Sequence, residues 1–167
     1  PEGTVYAMDL ETGCMHWQFK ASAEVRTAVV LSTGSTNPPL AFFGDILAKL
    51  YAVNALTGEL VWQFKVDDHS NATLTGTPAY HDGTLYVPVS SLEVIPAANP
   101  SYPCCSFRGS LVAIDSGTGL LQWRHYTIPD EPKEVGKSSL GTPVLAPSGA
   151  PSWSSPTIDI ERRLVYI

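Results

Sequence analysis

Charge is scarce in this sequence. Asp, Glu, Lys and Arg make up only 16% of its 167 residues, they sum to −6, and no stretch gathers Lys and Arg into a basic run. That argues against nucleic acid or an anionic membrane surface as partner, since both demand a positive face. Long apolar runs are missing too, so no segment is expected to span a bilayer. The chain opens at Pro1 without a charged region or an apolar core of the signal-peptide kind, and no targeting signal is visible. Cysteine is limited to three residues, and no Cys-x-x-Cys-His is present to attach a haem. Neither a Ser/His/Asp order nor a phosphate-binding loop stands out, which leaves hydrolase and nucleotide readings without support.

Turn-forming residues are plentiful by contrast. Fourteen Pro and thirteen Gly punctuate a chain that is 44% hydrophobic, the profile of an all-β protein. The stretch GTVYAMDLETGCMHWQF recurs as AKLYAVNALTGELVWQF and again as GSLVAIDSGTGLLQWRH. The aligned sets are Ala7, Asp9, Thr12, Gly13, Trp17; Ala52, Asn54, Thr57, Gly58, Trp62; and Ala113, Asp115, Thr118, Gly119, Trp123. Each unit reads as strand, tight turn, strand. Asp or Asn bonds the turn backbone, Gly takes its positive φ, and Trp offers a wide apolar face to the next unit. Trp17 and Trp62 lie 45 residues apart (62 − 17), the length of one four-stranded propeller blade.

Further strands are expected at Val25–Leu31, Leu40–Phe43, Thr73–Tyr80 and Leu85–Val89, giving a β-propeller. Blade boundaries fall near 20–22, 66–72 and 127–150. From Trp62 to Trp123 is 61 residues (123 − 62), 16 more than the first interval, and the surplus falls in PVSSLEVIPAANPSYPCCSFRG. It reads as an insertion between strands, where loops carry function. About two and a half blades cannot close a ring of four to eight, so the chain is expected to be a piece of a larger propeller.

The three tryptophan units resemble the docking motifs of the pyrroloquinoline quinone (PQQ) dehydrogenases, eight-bladed propellers that oxidise alcohols. The runs VRTAVV, VDDH, TGTP, PVSSLE, YPCCSFRGS and GAPSWSSPTID resemble the polyvinyl alcohol dehydrogenase branch, and the resemblance covers the whole chain. It implies oxidation of a secondary alcohol by PQQ with calcium, and electron transfer to a cytochrome. It further implies a periplasmic or secreted location, with haem c in another domain as an open option. By residue, it assigns a cofactor-contacting arginine to Arg26 and a cofactor-binding threonine to Thr75. Ser90 becomes the serine holding a cofactor carboxylate, Glu93 a calcium ligand, and Trp153 the indole on which the quinone stacks. The aspartate base is expected beyond Ile167. Read residue by residue, Glu93 is equally a solvated loop carboxylate, Trp153 a core tryptophan and Arg26 a surface arginine at a strand end. Cys104 and Cys105 are either a vicinal disulfide capping one quinone face or a reduced, structural pair. In the methanol-oxidising relatives such a plate comes from an earlier blade, so this placement departs from the pattern. Asp67, Asp68 and His69 read as a solvated turn, and Asn71-Ala72-Thr73 is a glycosylation sequon by pattern. The rival reading is a non-catalytic propeller that binds protein partners, since scaffolds of the outer-membrane assembly type share the repeat. Thr75, Ser90, Glu93 and Trp153 separate the two.

Overall fold

The protein is seen in a computed structural model that describes residues 3–34 and 37–167. Among the described residues, fifteen strands fall into small antiparallel sheets beside one turn of helix, a section of a β-propeller. A hairpin of β1 (Thr4–Met8) and β2 (Met15–Lys20) comes first. One four-stranded blade follows in the order β3 (Val30–Leu31), β4 (Leu40–Gly44), β5 (Lys49–Asn54), β6 (Leu60–Lys65). In the next blade, β7 (Ala72–Thr73) and β8 (Ala79–His81) both pair with β9 (Thr84–Ser91). The long connection from β9 carries α1 (Val94–Ala97), after which β10 (Ser110–Asp115) and β11 (Leu121–Tyr126) complete that blade. A hairpin of β12 (Lys133–Lys137) and β13 (Pro143–Ala146) precedes the opening pair of another blade, β14 (Thr157–Asp159) and β15 (Leu164–Tyr166). Among the described residues no helix is long and apolar enough to cross a membrane.

The repeat explains how blades are joined. Ala7, Ala52 and Ala113 pair across their hairpins with Trp17, Trp62 and Trp123, and each register shifts by one residue just beyond the alanine. The turns are tied locally. Thr12 donates its amide and hydroxyl to the Asp9 carboxylate, and Thr118 does the same for Asp115. Those threonine hydroxyls, then the amides, hold both carboxyls below the usual range. Trp17 and Trp62 then dock on the following unit. Trp17 Nε1–H donates to the Ala55 carbonyl at 3.0 Å, and Trp62 Nε1–H to the Ser116 carbonyl at 2.9 Å. The ring lies over the turn glycine: a Cβ built on Gly58 or Gly119 would stand 2.8 Å from it. The Thr-Gly glycine therefore serves twice, taking a positive φ and leaving room for an indole.

Between the docked faces lies the core. Every residue of β4 is buried, because the blade is covered on both sides. Strand alternation sends Ala41, Phe43, Tyr51 and Val53 towards the first hairpin, with Trp17 and Phe19. Leu40, Phe42, Leu50 and Ala52 face the next blade, where they meet Leu85, Val87, Val89, Val112 and Ile114. Full burial of each large side chain contributes about 1.5–3 kcal/mol.

Two expected strands are broken. Val25–Leu31 reduces to Val30–Leu31 plus an isolated bridge from Val25 to Asp45. Thr73–Tyr80 splits around Gly76 and Pro78, where proline has no N–H for the ladder and a Cβ on Gly76 would press on the Ser154 carbonyl. The 127–150 stretch, read as a connection between blades, holds the β12–β13 hairpin.

Gly83 offers an internal control, since its φ is +76° but a Cβ there would meet nothing within 4 Å. Gly119→Ala should therefore lower stability by about 1–3 kcal/mol more than Gly83→Ala, the excess being the overpacked indole. Chemical denaturation of the intact protein measures the difference, and equal losses would remove the indole contact from the account.

Candidate functional site

The site sits at one end of the blades. Strand β9 ends at Ser91, and β7 runs back beside it, pairing Thr73 with Ser90 and Ala72 with Ser91. The Thr75 hydroxyl lies 3.0 Å from the Ser90 hydroxyl, so these two sequence-predicted residues touch. Ser90 is fully buried and also donates to the Thr73 carbonyl at 3.2 Å. The Thr73 hydroxyl is buried without a hydrogen-bond partner, a polar group left open beside the pair.

Glu93 and Trp153 meet elsewhere at the same end. They line a pocket of about 470 Å³ with Ser91, Cys105, Phe107 and Pro151 among its walls. Trp153 is 46% exposed in this chain. Ser90 and Ser91 point to opposite faces of β9, as neighbours on a strand must, and it is Ser91 that reaches this pocket. The two pairs are joined through the backbone. Ser152 N–H donates to the Val89 carbonyl at 3.2 Å, and the Ser154 carbonyl closes over Gly76, next to Thr75. Arg26 stands at this end as well, through the Val25–Asp45 bridge, but its Nε donates to Glu24 at 2.8 Å and it does not line the pocket.

Cys104 and Cys105 form a disulfide across a cis peptide, with Cα atoms 2.9 Å apart. Cys14 is free and exposed. The pair is strapped to the β13 segment: Leu145 N–H donates to the Cys104 carbonyl at 2.6 Å, and Cys105 N–H to the Leu145 carbonyl at 3.3 Å. Further along, Phe107 and Gly109 exchange backbone bonds with Gly149. The insertion and the β12–β13 hairpin thus form one cap beside the pocket.

The surroundings of Glu93 were not legible beforehand. It is 4% exposed and engaged on both oxygens. Oε1 accepts from Ser106 N–H at 2.9 Å, the Tyr102 hydroxyl at 3.1 Å and the Ser106 hydroxyl at 3.3 Å. Oε2 accepts from Phe107 N–H at 3.0 Å. His69 joins the group, its Nε2 3.0 Å from the Ser106 hydroxyl and 3.6 Å from Glu93, with its ring edge-on to Phe107. Asn71 donates to the Tyr102 hydroxyl at 3.1 Å. Burial and then the Glu93 charge push the Tyr102 phenol up, so it stays protonated as a donor. His69 is therefore a half-buried residue engaged with the insertion and not a fully solvated one, and the Asn71-Ala72-Thr73 sequon is built into the same packing. Asp67 is paired with Arg124 at 2.7 Å. Among the described residues no three His, Cys, Asp or Glu converge as a metal cluster.

Comparison with known proteins bears on the family and the fold. The PQQ_2 family model, described as outer membrane protein assembly factor BamB, matches residues 1–150. The chain is 39% identical to a polyvinylalcohol dehydrogenase of a Pseudomonas species and 38% identical to one of Sphingopyxis sp. strain 113P3. Each match takes in 99% of this chain and 26% of the relative, so the chain spans about a quarter of their length. A solved quinohaemoprotein alcohol dehydrogenase of Pseudomonas putida superposes with a TM-score of 0.72 at 22% identity, covering 99% of this chain and 25% of that one. That likeness concerns the fold.

With Cys104 and Cys105 bonded to each other, thiol titration of the unfolded, unreduced protein should find one free thiol of three, and all three after reduction. Three free thiols before reduction would remove the disulfide from the site.

Proposed function

The chain belongs to the PQQ-dependent dehydrogenase family of β-propellers, and from that premise we propose that it forms part of a quinoprotein that oxidises secondary alcohols. The observation that carries this reading is the shared pocket of Trp153 and Cys105. A scaffold that only docks proteins has no need of an exposed indole and a disulfide on the walls of one cavity.

The pocket fits a flat quinone. Trp153 offers a π face to stack against, and the Cys104–Cys105 pair a rigid wall of the same pocket. Phe107 and Pro151 add apolar surface to its walls. Thr75, Ser90 and Thr73 lie on the other face of β9, with Ser90 and Thr73 fully buried, so Ser91 is the β9 hydroxyl that a ligand in this pocket would meet. Arg26, already paired with Glu24, would have to exchange that partner to reach a carboxylate. When bound, the quinone supplies the two-electron acceptor for alcohol oxidation. The chain's own part is to bind it and orient it. A divalent cation accompanies the quinone in this reading, with its ligands and the aspartate base supplied from outside this chain. Glu93, expected as a calcium ligand, already accepts two backbone N–H groups and two hydroxyls on its carboxylate oxygens. Electron transfer to a cytochrome c and a periplasmic or secreted location complete the proposal, the latter supported by the disulfide.

Reconstitution of the full-length apoprotein tests it. Added PQQ should restore oxidation of a short secondary alcohol with a dye acceptor. Trp153→Ala should raise the quinone concentration for half-activation about tenfold or more, equivalent to ~1.4 kcal/mol of lost stacking. A full-length protein that oxidises no alcohol with PQQ, yet captures a protein partner, would favour the scaffold.

A further inference from the structure

Two corresponding connections in this chain are built in the same way. Between β4 and β5 a tight turn begins at Asp45, which is fully buried. Its Oδ1 accepts the backbone N–H of Leu47 at 2.9 Å and of Lys49 at 3.0 Å, and its Oδ2 accepts the Tyr51 hydroxyl at 2.8 Å. Between β9 and β10 the long connection begins beside Glu93. That carboxylate also takes two backbone amides, from Ser106 and Phe107, and one tyrosine hydroxyl, from Tyr102. Both are buried acids that start a connection and gather its far end by two backbone amides and a tyrosine hydroxyl. Asp45 holds amides two and four residues ahead, whereas Glu93 holds amides 13 and 14 residues ahead.

We propose that Glu93 is a positioning residue that applies the Asp45 device to the insertion, and that it does not ligate a metal. The clamped amides belong to the two residues directly after Cys105. Fixing them fixes the end of the disulfide segment, while the β13 strap fixes the disulfide itself. Calcium takes six to eight oxygen ligands, but the groups facing Glu93 present hydrogens, and a cation among them would meet the positive ends of four donors. Charge-assisted bonds of this kind are the strong ones, and stripping them from a buried acid leaves it unpaired. His69 stands on the Oε1 side, so the clamp also ties the 67–71 turn to the insertion, while Glu93 keeps one side on the pocket. The consequence for a quinone rests on the function proposed above. The clamp itself does not.

The test uses the full-length protein without quinone. Glu93→Gln keeps the size of the side chain but removes its charge and turns an NH₂ towards backbone donors. Hydrogen exchange at the Ser106 and Phe107 amides should speed up about tenfold or more, as should reduction of the disulfide by a small dithiol. Calcium affinity by calorimetry should stay within about twofold of wild type, and a wild type that binds no calcium supports the proposal equally. Tyr102→Phe, which leaves the carboxylate in place, should shift exchange and reduction the same way by less, and it serves if Glu93→Gln fails to fold. PQQ affinity, read by quenching of tryptophan fluorescence, should fall about tenfold in Glu93→Gln as its wall loosens. Loss of calcium affinity by about tenfold, with amide exchange unchanged, would overturn the proposal in favour of a metal ligand. If no protein binds quinone, the proposed function fails, while exchange and reduction still decide the role of Glu93.

Discussion

An indole laid over a glycine of the next unit and tied by its N–H to a carbonyl there, as at Trp17 and Trp62, fixes how the sheets they join stand to one another. Trp17 reaches Ala55 and Trp62 reaches Ser116 through the same geometry. An apolar ring alone could slide, but the single buried donor must find its acceptor, which sets the register of blade against blade. The strand ends then fall at a common level. Residues as distant as Thr75, Glu93 and Trp153 arrive at one end of the propeller for that reason, although no local signal in the chain relates them.

What differs between the two blades is the connection at that end. Asp45 organises a short turn, while the longer reach of Glu93 gathers an insertion with prolines at 96, 100 and 103, which lower the entropy lost on ordering it. The insertion is held a second time by the β13 strap at Cys104, Phe107 and Gly109. Held from both sides, a segment outside the repeat becomes a rigid wall of a pocket. The chain thus adds a site to a repetitive scaffold without disturbing the packing beneath, where Val87, Val89 and Val112 remain fully buried.

The repeat was readable because its information is local: Ala, Asp or Asn, Thr-Gly and Trp lie within eleven residues and recur at blade length. The Thr75–Ser90 contact was readable as well, by counting from the Asp82-Gly83 turn that joins their strands. The phase of Ser90 and Ser91 was not, because two adjacent serines in an otherwise buried strand give no alternation to read. Nor was the environment of Glu93, whose donors come from 9 to 14 residues ahead and from the 69–71 turn behind. Loop closure decides such contacts, and it leaves no period in the sequence. His69 looked solvated for the same reason, since its neighbours Asp67, Asp68 and Ser70 are polar.

Trp153 and Cys105 wall one pocket, and Glu93 accepts the amides of Ser106 and Phe107 beside it. A crystal structure of the full-length protein loaded with PQQ tests this arrangement most directly. The quinone should lie in that pocket in van der Waals contact with both the indole and the disulfide, at roughly 3.5–4 Å, while Glu93 still accepts the amides of Ser106 and Phe107. A quinone bound elsewhere, or a cation seated on Glu93 with those amides released, would contradict it.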